Sequence, residues 1–443
     1  MWSSEQRRRA LAERLYHLAE AVSTAKGTKQ QLTEGLSELI RRLELLVPGI
    51  ITDFDKRWNR IDGAGMDPST AERLKSELCK EIEDLISDIG PLMLRVVAGG
   101  ESTAVPVEIE ACIQRRVSQA TPRWRWTSIL YASPEYNYSV ERVPDPEQVL
   151  RRPSNALRRT KRDLVAFSLP RPERDAVGLH AVLLGHEIGH VRDWYTRVTE
   201  RHKLVIPRDW RKPADRLTLF LDWGDRWISE LVADIFACLT LGPVALLSLP
   251  EIMMKAAELD LDSETHPSPA RRIELMIRVL QGLGYGAVPA LRPILESYAQ
   301  ISNGAWSKPV DLAEDLPESL DLYELCGNAL IPEVNRSLPA LELQCTNATS
   351  PELLASPNTW PAVERASDLL AHGIPCGEDE GNWVDEVTIL NAAWYIKAAR
   401  LQELGPLLGL TGVSTMEDLG TLNAKLDLLA LKSIEISESL RAQ

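Results

Sequence analysis

Two histidines four residues apart, with a glutamate beside the first, constrain this chain more than any other feature: His186-Glu187-Ile188-Gly189-His190. On an α-helix, residues i and i+4 share a face, so both imidazoles can reach a single ion. Glu187 then sits beside the first imidazole, where its carboxylate can take a proton from water held at that ion. Apolar Val177, Leu179, Val182, Leu183 and Ile188 predict one helix that starts near Pro172 and runs through at least Tyr195. Gly185 and Gly189 keep a flank of it small, which lets another element approach closely. Zinc suits such a site, being borderline-soft, redox-inert and content with two imidazoles, one carboxylate and an open position.

The third ligand has to come from elsewhere. The metzincin arrangement needs glycine at 193 and histidine or aspartate at 196, where this chain has Asp193 and Thr196. Downstream, between Ile228 and Leu241, the only charged residues are Glu230 and Asp234, one helical repeat apart on one face. Burying two carboxylates in an apolar helix costs several kcal/mol unless they are paired or bound to metal. Glu230 as a zinc ligand, with Asp234 accepting a hydrogen bond from a ligand histidine, accounts for both charges together. Ion pairs with Arg192 or Arg226 are the alternative. A third segment, Thr265-His266-Pro267-Ser268-Pro269-Ala270-Arg271-Arg272-Ile273, places His266 on a loop just before a helix start. From there it could donate a hydrogen bond to the oxyanion of a tetrahedral intermediate. A histidine that only faces solvent is the alternative there.

The ordered set of HExxH, ExxxD and a THP segment followed by Arg-Ile resembles the gluzincin metallopeptidases related to the CAAX prenyl protease and HtpX. That resemblance implies His186, His190 and Glu230 as zinc ligands and Glu187 as general base. It also implies Asp234 as the acid that steadies a ligand histidine, His266 as a substrate-facing group, and Arg272 as the arginine that follows. Ser268 stands where the family commonly has a second proline, and the membrane helices of its best-known members have no counterpart here. The resemblance spans about 163–282. It implies a mainly α (α+β) chain, with a zincin-like metallopeptidase core and a small sheet flanked by helical regions.

The flanks are read from pattern. Residues 1–100 predict a helical N-terminal region, with one run ended by Pro48, a second opened by Asp67-Pro68-Ser69, and Gly99-Gly100 as punctuation. Residues 101–300 form the expected catalytic domain, with strands near 123–131 and 163–169. Residues 301–443 are expected to be an acidic linker and a helical C-terminal region. The net charge of −14 over 443 residues argues against a general nucleic-acid surface, although Arg151–Arg162 holds six basic residues and no acid. The start of the chain carries no signal-peptide pattern, and no long apolar run follows it. Six scattered cysteines without a CxxC suit reduced thiols. A soluble, cytoplasmic chain with no membrane partner is therefore expected.

The expected function is a zinc-dependent endopeptidase that hydrolyses peptide bonds in a protein or peptide substrate, with Glu187 activating the attacking water. The strand at 164–169 is expected to offer an edge to extended substrate. The helical flanks are read as recognition or regulatory modules for a protein partner. Two further readings stand beside it. One is a zinc-stabilised interaction scaffold without catalysis. The other is a nucleic-acid-associated protein using 151–162 with Trp124 and Trp126.

Overall fold

The computed structural model describes residues 4–12, 15–16, 34–101, 105–122, 126–133, 138–143, 163–173, 175–202, 214–253, 259–263, 265–307, 326–337, 355–379, 382–409 and 415–441. The basic run 151–162, Trp124 and the acidic stretch 311–324 lie outside them. The described chain is mostly helical with a small three-stranded sheet, as a mainly α reading requires. It divides into two compact units, one comprising 1–105, 124–137 and 141–171, the other 106–123, 138–140 and 172–443.

The first unit contains helices α1 (Glu34–Gly63) and α2 (Pro68–Glu101). Asp67 opens α2 as the sequence suggests, its Oδ1 accepting the backbone N–H groups of Ser69 and Thr70 at 3.1 and 3.0 Å. Pro48 does not end its run; it sits inside α1, and Gly99-Gly100 lies within α2. The flanking turns of α1 bury Ile40, Val47, Ile50, Phe54 and Trp58, so packing overrides the local cost of the proline. Both helices pack against strand β1 (Trp126–Ser133), whose residues are buried throughout. Trp126 is among them, so it is not available to stack on a base.

β1 pairs in parallel with β3 (Asp163–Pro170), from Trp126 opposite Asp163 to Ser133 opposite Pro170. The sheet order is β1-β3-β2, with β2 at Ser139–Val143. β3 is thus the central strand, which explains its unbroken buried run Leu164–Leu169. This corrects the expectation that 164–169 offers an edge to substrate, because both of its sides are already paired.

The second unit holds α3 (Val107–Ala120), α4 (Ile188–Thr196), α5 (Ala214–Leu241), α6 (Pro243–Met253), α7 (Pro269–Gly282) and α8 (Arg292–Ser302). It also holds α9 (Trp360–Ala371), α10 (Glu386–Tyr395) and α11 (Met416–Arg441), besides short helical segments at Val198–Arg201 and Ile331–Ser337. No continuous helix runs from Pro172; residues 171–173 form a 3₁₀ turn, and helix begins at Ala181. A π-turn at Leu183–Glu187 then leads into α4. α5 ends at Leu241, just before Gly242, whose φ of 69° suits a residue without Cβ. α5 packs against α4, the π-turn, α6 and α7. α10 packs on α6, α9 and α11, while α11 also packs on α3. The C-terminal helices therefore share the compact unit of the histidine helix, whereas β1 and β3 belong with α1 and α2.

Candidate metal centre

The histidine segment and α5 meet because glycine faces alanine at the crossing. A Cβ placed on Gly189 would lie 2.7 Å from Ala233 Cα, and one on Gly185 would lie 3.0 Å from Ala237 Cβ. These contacts set two nearly bare helix surfaces together, as the small flank suggests. Ala233 is the residue before Asp234 and three after Glu230, so this crossing brings both carboxylates of α5 to the imidazoles.

His186 Nε2 lies 3.2 Å from His190 Nε2 and 3.2 Å from Glu230 Oε2, and His190 Nε2 lies 3.3 Å from Glu230 Oε1. The donor atoms of His186, His190 and Glu230 all fall within 4.8 Å of one another. Donors about 2.0–2.1 Å from one tetrahedral centre stand about 3.3 Å apart, so these three residues fit a metal ion. Glu230 Oε2 gives a second indication, being buried with no hydrogen-bond partner. Native proteins rarely leave a carboxylate oxygen in that state.

The other ring nitrogens are engaged behind this face. His186 Nδ1 lies 2.9 Å from Asp234 Oδ1, and His190 Nδ1 lies 3.3 Å from the Ser229 hydroxyl. With Nδ1–H donating outward, each Nε2 lone pair turns inward towards Glu230. Asp234 is fully buried and receives a fork from Arg272, whose Nε and Nη2 each donate at 2.7 Å. The arginine partner of these carboxylates is thus Arg272, which also approaches Glu230 Oε2 at 3.6 Å. Neither Arg192 nor Arg226 is the partner; Arg192 Nη1 donates to the Ala120 carbonyl.

Charge is finely set here. Burial pulls the His186 imidazole down, but Asp234 and Glu230 more than offset it and take it up to about 10. Burial pushes Glu230 up, yet His190 and His186 hold it well below the usual carboxylate range. For Asp234, burial is outweighed by Arg272 and His186, leaving it lowered. The pocket between the two carboxylates favours a positive charge. Glu187, also buried, is raised by its burial, with His186 and His190 opposing.

His266 reaches the same cluster from the loop before α7. Its Nε2 stands 3.5 Å from Glu230 Oε2, and its Nδ1 lies 2.7 Å from the Thr265 hydroxyl. Burial lowers its pKa, against the pull of Glu230, which favours the neutral ring. The loop is anchored from both sides: Trp227 Nε1 donates to the Ser263 carbonyl at 3.0 Å, and buried Asp262 pairs with Arg271 at 3.2 Å. Every residue expected at the site, from His186 to Arg272, is therefore within one connected cluster or buried beside it. Ser229, Thr265 and the Asp262–Arg271 anchor were not expected. Ser229 and Thr265 each directly precede a site residue, Glu230 and His266, and that adjacency is their one sequence signal.

Among the described residues, no helix is long and apolar enough to cross a membrane. Four cysteines, at 79, 112, 238 and 376, are free and buried. Compared with protein-family models, with curated proteins and with solved structures, the chain matches none.

Proposed function

We propose that this protein is a zinc-dependent peptidase in which His186, His190 and Glu230 hold the ion and Glu187 is the general base. The observation that carries the reading is the triangle of residues His186, His190 and Glu230, whose two Nε2 atoms lie 3.2 Å apart, with Glu230 Oε2 at 3.2 Å from His186 and Glu230 Oε1 at 3.3 Å from His190. The resemblance to gluzincins supports it from the order of the motifs. When bound, zinc supplies Lewis acidity, bringing the pKa of water towards about 7 and polarising a peptide carbonyl.

The remaining work falls to side chains of this chain. Glu187, held in a buried setting that raises its pKa, accepts a proton from the attacking water and returns it to the leaving amine. Asp234 keeps His186 in the tautomer with Nε2 free, and Arg272 keeps the solvent-excluded Asp234 ionised. Neutral His266, with Nδ1 accepting from Thr265, has Nε2–H left to donate to the developing oxyanion. A protein or peptide chain is the substrate on this reading.

Glu187 separates this from a zinc-stabilised scaffold, since a purely structural site has no use for a buried carboxyl beside its ligands. The test compares zinc content and cleavage of an unfolded protein substrate in wild type and Glu187→Gln. The variant should keep near-stoichiometric zinc and lose cleavage by 100-fold or more, in line with about 10²–10⁴-fold for general bases. Equal zinc with no cleavage by the wild type would favour the scaffold.

A further inference from the structure

One guanidinium joins the two helices of the metal centre from behind. Arg116, on α3, is 4% exposed. Its Nε donates to the carbonyl of Leu184 at 3.1 Å, inside the π-turn that carries His186. Its Nη2 reaches the carbonyl of Thr240 at 3.5 Å, in the last turn of α5, the helix that carries Glu230 and Asp234. Its Nη1 donates to Glu386 Oε1 at 3.2 Å, at the first residue of α10.

Both carbonyls are of the kind that a helix serves poorly. A π-turn disturbs the regular ladder, and the last carbonyls of a helix lack an intrahelical donor. An arginine offers five donors in a rigid fork, so it can serve two backbones and a carboxylate at once. The metal ligands lie on two separate segments, and their donors must hold their spacing to a few tenths of an ångström. A tie between Leu184, two residues before His186, and the end of α5 limits how far those segments can slide.

We infer that Arg116 is a positioning residue for the metal centre, fixing the π-turn of His186 against the helix of Glu230 through the carbonyls of Leu184 and Thr240. The inference rests on the metal reading above. Glu386 neutralises the buried guanidinium and joins α10 to the same tie. It does not depend on Arg116 for its own charge balance, because Arg115 Nη2 at 2.8 Å and Arg441 Nη2 at 3.4 Å also reach Glu386 Oε2. Arg116 borders a cavity of about 220 Å³ shared with Gln119, Thr240 and Glu386, so water can enter where a shorter side chain withdraws. Arg116→Gln is therefore expected to fold.

The experiment uses the full chain with cobalt(II) as probe, reading affinity by chelator competition and ligand geometry by visible absorption. Arg116→Gln should bind cobalt about 10-fold or more weakly than wild type, with a shifted band, while helical circular dichroism is kept. Arg116→Lys keeps the charge but not the fork, and should remain impaired. Arg115→Gln touches the same Glu386 without reaching Leu184, and should bind like wild type. Unchanged affinity and spectrum in Arg116→Gln would overturn the inference, as would equal losses in the Arg115 and Arg116 variants. Loss of helical signal in both Arg116 variants would also overturn it, making Arg116 a folding residue. A wild type that takes up no cobalt would instead remove the metal reading itself.

Discussion

His186 Nδ1 and Asp234 Oδ1 lie 2.9 Å apart, joining the histidine helix to α5 through a carboxylate with no exposure to solvent. The same carboxylate receives the Arg272 fork, so it orients the imidazole and is itself held. Replacing it tests the orientation directly. Asp234→Asn, nearly isosteric, should weaken zinc binding about 10- to 100-fold, read by competition with a chromophoric chelator. Asp234→Ala should be worse for stability, by about 3–5 kcal/mol, because the buried Arg272 loses the carboxylate that accepts its fork. Equal zinc affinity in Asp234→Asn and wild type would remove Asp234 from the account of the site.

Gly189 tests the helix crossing. A Cβ there meets the backbone of Ala233 at 2.7 Å, whereas one at Gly185 first meets the movable Leu241 Cδ1 at 2.6 Å. Gly189→Ala should therefore cost about 1–3 kcal/mol of unfolding free energy and displace the ligand triangle, despite the better helix propensity of alanine. Gly185→Ala should cost less. Chemical denaturation of both variants checks the ranking, and a stabilised Gly189→Ala would contradict the crossing.

Acid should loosen the join between α10, α3 and α11. Burial pushes the Glu386 carboxyl up, but Arg115, Arg116 and Arg441 more than offset this and bring it to about 2. A carboxylate lowered in the folded state contributes stability above its unfolded value, near 4.5, and loses it as pH falls towards 2. That contribution is on the order of 3 kcal/mol at neutral pH. Urea midpoints measured from pH 7 to pH 3 should fall more steeply in wild type than in Glu386→Gln. Parallel curves would show that Glu386 carries no such linkage.

Truncation separates the two flanks. Removing residues 386–443 strips α10 and α11 from the unit that holds the metal helices, and takes away Glu386 and Asn391, whose Nδ2 donates to the Leu241 carbonyl at 2.8 Å. That variant should lose zinc binding together with cooperative unfolding. Removing residues 1–98 uncovers the buried strand β1, which packs on α1 and α2, and should yield a chain that binds hydrophobic dyes or aggregates. A soluble 1–98 deletion with enhanced cleavage would instead support a restraining N-terminal module.

Much of the candidate centre is legible in the sequence because the residues that meet there lie at local spacings. The four-residue step from His186 to His190, and the same step from Glu230 to Asp234, are visible to helical periodicity alone. Arg272 as their partner is not, since pairing across 38 residues is tertiary; the resemblance implies it only as the arginine that follows His266, and pattern offers Arg192 and Arg226 as the alternative to a metal. Pro48 and Gly99-Gly100 mislead because local breakers yield when a long helix has enough to bury. The π-turn at 183–187 leaves no mark on composition, and neither does the central place of β3, which depends on which strands come to flank it. Arg116 and Glu386 are 270 residues apart, and neither belongs to a recognisable pattern.

The most direct test is X-ray absorption at the zinc edge on purified wild-type protein loaded with one equivalent of zinc. The account predicts a four-coordinate shell of two imidazole nitrogens and light oxygen donors at about 2.0–2.1 Å, reduced by one oxygen donor or lost altogether in Glu230→Ala. A shell containing sulfur, or one unchanged by Glu230→Ala, would contradict it.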